Sequence, residues 1–124
     1  MLKKILLFII SWTWCLPQQM TGLIVRFITN AKKTPDGYYT YGLNYSASFG
    51  SYIFISNFDL YNERVIKHEK GHTIQSYIFG WFWIFIFGIP SLIWNSCFRK
   101  YRKKHNIDYY SFYTERFADK LGNV

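Results

Sequence analysis

VIKHEKGHTIQS, residues 65–76, gathers two of the chain's three histidines and one of its three glutamates into five positions. Read as a helix, the stretch sets His68 and His72 one turn apart on the same face. Two imidazoles so placed reach one ion at the ~2.0–2.1 Å of a zinc–nitrogen bond. Glu69, beside the first histidine, points differently and can take a proton from a water on that ion, the general-base role in HExxH metalloproteases. Zinc brings the pKa of such a water to about 7 and polarises the carbonyl under attack. One Zn2+ per chain is therefore the expected cofactor.

Two histidines leave such a site incomplete, because a catalytic zinc takes three protein ligands and keeps one position open. Downstream, His105, Asp108, Glu115 and Asp119 are candidates. TERFAD, residues 114–119, favours Glu115: it and Asp119 are spaced i, i+4, so one helical face presents a ligating carboxylate and a second acid one turn on. Asp119 can then accept the outer N–H of His68 and fix its tautomer.

HExxH followed by ExxxD resembles the pattern of the gluzincin metallopeptidases, the thermolysin-like clan. FGSYIFISN, HEKGHTIQS, GIPSL and YYSFYTERFADKLG also look like a group of small bacterial membrane proteins of unassigned substrate, a likeness covering most of residues 49–122. The resemblance implies His68, His72 and Glu115 as zinc ligands, Glu69 as general base and Asp119 as the partner of a ligand. It implies that the strand before the HExxH helix, Ser51, Tyr52, Ile53, Phe54, Ile55 and Ser56, pairs with an extended peptide substrate. Of Tyr109, Tyr110, Tyr113 and His105, Tyr113 is assigned as the group that stabilises the transition state. The spacer between His72 and Glu115 departs from the family, being mostly an apolar block.

With 124 residues, one domain is expected. Half the residues are hydrophobic and 23% aromatic, yet 15 Lys/Arg face 7 Asp/Glu. Basic residues flank apolar blocks instead of lining a recognition helix, which favours membrane lipid over nucleic acid as a partner. Cys15 and Cys97 have no metal or disulfide spacing and read as buried thiols.

Residues 1–30 form an N-terminal membrane-associated apolar segment, with two lysines ahead of it and a polar break at Pro17-Gln18-Gln19. Trp12 and Trp14 and the missing small-residue cleavage site argue against a processed signal peptide. Each half is short for a span, so the segment is one kinked span or a hairpin. Residues 31–124 form the minimal metallopeptidase-like domain. Within it, Tyr38 to Leu43 and Ser51 to Ser56 read as two strands of an antiparallel ribbon after the Pro35-Asp36-Gly37 turn. Asn57 or Asp59 caps a helix from Leu60 to about Phe79, and residues 109–122 form a second helix ended by Gly122.

Residues 76–98 carry no charge. As one straight helix they would run about 34 Å and put Glu115 on the opposite membrane face from His72. A break at Gly88-Ile89-Pro90 resolves this, giving a membrane-inserted helical hairpin with arms Ser76 to Phe87 and Ser91 to Phe98. Trp81, Trp83, Phe85 and Phe87 are lipid-facing or core residues. The basic run Arg99 to Lys104 favours an active site on the cytoplasmic side of a bacterial inner membrane.

The fold class is α+β, mainly helical: a minimal zincin-like core of β-ribbon, HExxH helix and C-terminal ExxxD helix, with apolar membrane-inserted helical segments. The expected function is a membrane-embedded zinc metallopeptidase acting on a peptide or protein substrate. The alternatives are a non-catalytic membrane protein with a structural or degenerate zinc site, and a small basic membrane-active protein with an accidental motif.

Overall fold

A computed structural model describes residues 1–43, 45–60 and 62–124. The expected helix from Leu60 runs through Tyr61, which lies outside the described residues. The fold is α+β and mainly helical: α1 (Leu2–Trp12), α2 (Leu16–Thr29), β1 (Lys32–Lys33), β2 (Tyr39–Tyr41), β3 (Ala47–Phe49), β4 (Tyr52–Ser56), α3 (Glu63–Phe79), α4 (Ile89–Cys97), α5 (Arg99–His105) and α6 (Tyr113–Leu121).

The sheet order is β1-β2-β4-β3. The two expected strands are neighbours, but β2 and β4 run parallel, with Tyr39 opposite Phe54. The antiparallel ribbon is corrected for a local reason: the chain between them carries β3, which reverses into β4 through Gly50 at φ +63°. The hairpin partner of β4 is therefore β3, and β2 is left to lie alongside in the same sense. Tyr39, Tyr41 and Phe54 form the buried aromatic core on this sheet, with Tyr41 stacked 5.4 Å from Phe54.

α3 is capped neither by Asn57 nor by Asp59, which sit in a 3₁₀ turn; Asn62 accepts from Val65 N instead. The joint between α1 and α2 adds side-chain donors to the carbonyls around the far end of α3: Cys15 Sγ donates to Ser76 O at 3.1 Å, Trp14 Nε1 to Tyr77 O at 3.1 Å and Gln18 Nε2 to Gly80 O at 2.8 Å. Gln19 ties down the β3–β4 turn, accepting from Ser51 N and donating to Ser51 Oγ. The break in the N-terminal segment thus falls at Thr13–Cys15, and Pro17 sits in the first turn of α2, where it forfeits no hydrogen bond. Gln18 and Gln19 are buried tethers.

The chain turns at Gly80, whose φ of +55° and close packing under Trp14 leave no room for a side chain. Gly88 and Pro90 do not form the turn of a hairpin: Gly88 is right-handed helical, and a π-helical stretch, Ile84–Gly88, runs directly into α4. Pro90 has no N–H for the carbonyl of Ile86, four residues back. The Tyr113 hydroxyl donates to that oxygen at 2.7 Å, so the helix survives its proline. Trp83 and Phe87 are buried, whereas Trp81 and Phe85 are exposed. Cys15 is buried but Cys97 is exposed, since its position near the end of α4 faces away from the body. Among the described residues, no helix is long and apolar enough to cross a membrane.

Candidate metal centre

α3 and α6 cross closely because glycine stands at the contact. A methyl on Gly71 would overlap the carbonyl oxygen of Ala118, and one on Gly122 would overlap that of Lys67. This crossing brings Glu115, in the first turn of α6, over the two histidines of α3. His68, His72 and Glu115 are all buried, and one ligand atom from each lies within 4.8 Å of the others. Glu115 Oε2 is 2.8 Å from His72 Nε2 and 3.2 Å from His68 Nε2.

The outer nitrogens are also engaged. His68 Nδ1 lies 2.6 Å from Asp119 Oδ1, and His72 Nδ1 lies 2.8 Å from Gln75 Oε1. Two contacts orient the Gln75 amide: its Nε2 donates to Thr114 O at 3.0 Å, and Trp83 Nε1 donates to its Oε1 at 3.4 Å. Asp119 is gripped by both guanidinium nitrogens of Arg64, which also lies 3.8 Å over the Tyr110 ring. Tyr110 in turn sits edge-on to His68. Tyr109 OH donates to Glu115 Oε1 at 2.7 Å.

These contacts dictate the protons. Gln75 Oε1 only accepts, and the Asp119 oxygens accept from Arg64, so each Nδ1 is placed as a donor. In neutral imidazoles, both Nε2 lone pairs then point at a carboxylate oxygen. Three electron pairs aimed at one point require a cation there. Without a metal, protons serve: burial disfavours imidazolium at His72, but the hydrogen bond and charge of Glu115 outweigh it and push the pKa up to about 9. His68 is raised in the same way, its burial outweighed by Glu115, Glu69 and Asp119. Burial would raise Glu115, yet hydrogen bonds from both histidines hold it well below the usual carboxylate range.

Glu69 is buried, lines the adjoining cavity, and its Oε2 has no hydrogen-bond partner among the described residues. Burial pushes its pKa up against the pull of His72 and His68. The cavity holds about 230 Å³ and is lined by β3, by Phe49, Trp83 and Leu92, and by Glu69, His72 and Glu115.

Two sequence-level assignments are corrected. Tyr113 is outside the cavity lining, and its hydroxyl is spent on the Ile86 carbonyl; the tyrosine at the centre is Tyr109. Ser51 to Ser56 cannot take a substrate strand, because β4 has β2 on one side and β3 on the other. Gln75, Arg64 and Trp83 were not expected at the centre. Gln75 had one signal, its i+3 spacing from His72. No family model, curated protein or solved structure matches the chain.

Proposed function

We propose that the chain is a metal-dependent peptide hydrolase of gluzincin type, holding one zinc ion through His68, His72 and Glu115. The observation that carries this reading is the convergence of three buried electron-pair donors whose outer atoms are already committed to Asp119, Gln75 and Tyr109. The associated fold reading is a minimal zincin-like core of small sheet, HExxH helix and ExxxD helix.

Zinc held there supplies Lewis acidity to water and carbonyl. Glu69, with one carboxylate oxygen unpartnered, accepts a proton from the attacking water and passes it to the leaving amine. Tyr109 holds Glu115 Oε1, leaving Oε2 toward the histidines. Substrate backbone pairs with the outer edge of β3, Ala47–Phe49, the last strand of the sheet among the described residues, which lines the cavity.

Metal stoichiometry is measured on wild type, His68→Ala and Glu115→Ala, and turnover of a peptide library on wild type and Glu69→Gln. The expected result is one zinc per wild-type chain, loss of metal in both ligand variants, and retained metal without turnover in Glu69→Gln. Equal hydrolysis by wild type and Glu69→Gln removes the enzyme claim and leaves a non-catalytic metal site.

A further inference from the structure

The second feature of the molecule is an apolar surface outside the lining of the cavity at the metal centre. α1 exposes Leu2, Ile5, Leu6, Phe8 and Ile9, and the segment after Gly80 exposes Trp81, Phe82, Phe85 and Ile93. The two are fastened together at one corner: Trp81 Nε1 donates to Thr13 O at 2.9 Å, and Trp14 packs on Gly80. Phe85 is 71% exposed and Phe8 65%, values unusual for phenylalanine in water.

Charge borders this surface. Lys3 and Lys4 lie on α1, and Arg99, Lys100, Lys103 and Lys104 lie exposed on α5. Between the post-Gly80 segment and α6 runs an open groove of about 560 Å³. Its floor is a stack of Phe79, Phe87 and Phe117, with ring centroids 4.8 and 5.7 Å apart. Its rim carries Arg116 and Lys120, one turn apart on α6, both exposed and neither in an ion pair among the described residues. Ile86 belongs to both the groove and the exposed surface.

We propose that this face docks into one leaflet of an acidic membrane, with the groove seating an anionic lipid: acyl chain on the phenylalanine stack, headgroup phosphate between Arg116 and Lys120. The bases supply charge complementarity, and Ile86 joins the groove to the exposed apolar surface. α1, at 11 residues, extends about 16 Å, half the hydrocarbon core, so it lies in the interface and does not cross. The exposed Trp14 and Trp81 sit at the corner where interfacial tryptophans are favoured. Phosphate on a free anion would satisfy the bases equally; only a lipid also uses the aromatic floor.

The test is flotation of the purified full chain with vesicles of phosphatidylcholine alone or mixed with phosphatidylglycerol, read without any turnover so that it stands or falls apart from the hydrolase reading. Wild type is expected to float with the acidic vesicles. Each basic residue near such a surface contributes about fivefold to partitioning, so Arg116→Gln/Lys120→Gln should weaken it about thirtyfold. Lys32→Gln/Lys33→Gln, exposed on the edge strand β1 and outside the groove lining, should leave it nearly unchanged. Phe82→Ser/Phe85→Ser, at exposed positions that the fold does not need, should abolish flotation. Equal losses in the two double-Gln variants would mean diffuse attraction and overturn the groove. A chain that forms a stable dimer and does not float, or that binds inorganic phosphate as strongly as vesicles, would overturn the lipid assignment.

Discussion

Replacing Gly71 by alanine sets two effects of opposite sign against each other. In an isolated helix the change stabilises by about 1 kcal/mol, since alanine is the better helix former. Here the added methyl would stand 3.0 Å from Ala118 Cα and overlap its carbonyl, where carbon atoms ordinarily settle at about 3.5–4.0 Å. The overlapping atoms are backbone, so a rotamer change cannot relieve them. α6 must back away by roughly an ångström, and overpacking of this kind costs about 1–3 kcal/mol. At the middle of that range, about 2 kcal/mol, packing outweighs propensity by about 1 kcal/mol, so Gly71→Ala should lower Tm by about 3–6 °C in a chain of this size. Glu115 moves with α6. Metal–ligand distances tolerate about 0.2 Å, so zinc affinity should fall at least tenfold although every ligand remains. Thermal unfolding of the metal-free protein and competition with a chromophoric chelator measure the two effects. Gly42→Ala is the control, because no described residue lies within 4 Å of a side chain there. A Gly71→Ala protein with unchanged or higher Tm and zinc affinity within twofold of wild type would refute the claim that this close crossing positions the site.

Asp119→Ala should weaken zinc binding about 10–100-fold by freeing the His68 ring, as loss of such a partner does elsewhere; Arg64→Ala, whose side chain is half in solvent, should cost less than tenfold in the same chelator assay. Tyr109→Phe strips the donor from buried Glu115 Oε1 and should destabilise the metal-free protein by about 1–3 kcal/mol, read by denaturant titration. Stability of the metal-free protein should also depend on pH with a defined sign. His72 is raised from 6.5 to about 9, so its contribution is complete below 6.5 and lost as pH rises through 9; Glu115 is lowered, so its contribution is complete above 4.5 and lost as pH falls. Glu69, raised by burial, pulls in the same direction as His72. Tm should therefore peak between about pH 4.5 and 6.5. Saturating zinc replaces the protons between the donors and should remove the alkaline fall; a metal-free Tm that rises from pH 6.5 to 9 would contradict the proton assignment.

What the residues disclosed in advance followed from spacing within single elements. His68 and His72 share a helical face by the period of the α-helix alone, and Glu115 and Asp119 do so on α6, so their convergence needed only that the two helices meet. Pairing between distant pieces was not legible. β3 has three residues, too few to announce a strand, and buries its polar Ser48, yet its presence decides that β2 and β4 run parallel and that β4 is closed to a partner. The proline at position 90 misled for a related reason: a break is forced only when the orphaned carbonyl stays unpaired, and here a tyrosine 27 residues along the chain supplies the missing donor. The same hydroxyl was the one assigned to catalysis. Gln18 and Gln19 interrupt an apolar run and suggest a kink, but their amides close the end of α3 and the β3–β4 turn.

The apolar spacer between His72 and Glu115 acquires a mechanical meaning from these contacts. Trp83 reaches back to Gln75, which holds His72; Ile86 receives Tyr113, the first residue of α6; and Trp94 donates to the carbonyl of Tyr109 while stacking 4.7 Å from Phe112. One continuous helical piece therefore braces the second histidine at one end and the approach to Glu115 at the other. Arg102 completes the brace, lying over both Trp94 and Tyr109 and donating to Trp94 O. Indole and phenol groups do this where aliphatic ones could not, because each presents an apolar face for packing and one polar atom for an orphaned carbonyl or amide. The buried aromatic residues of this stretch, Trp83, Phe87 and Trp94, thus serve the geometry of the site, whereas Trp81, Phe82 and Phe85 face outward and are free to serve another surface.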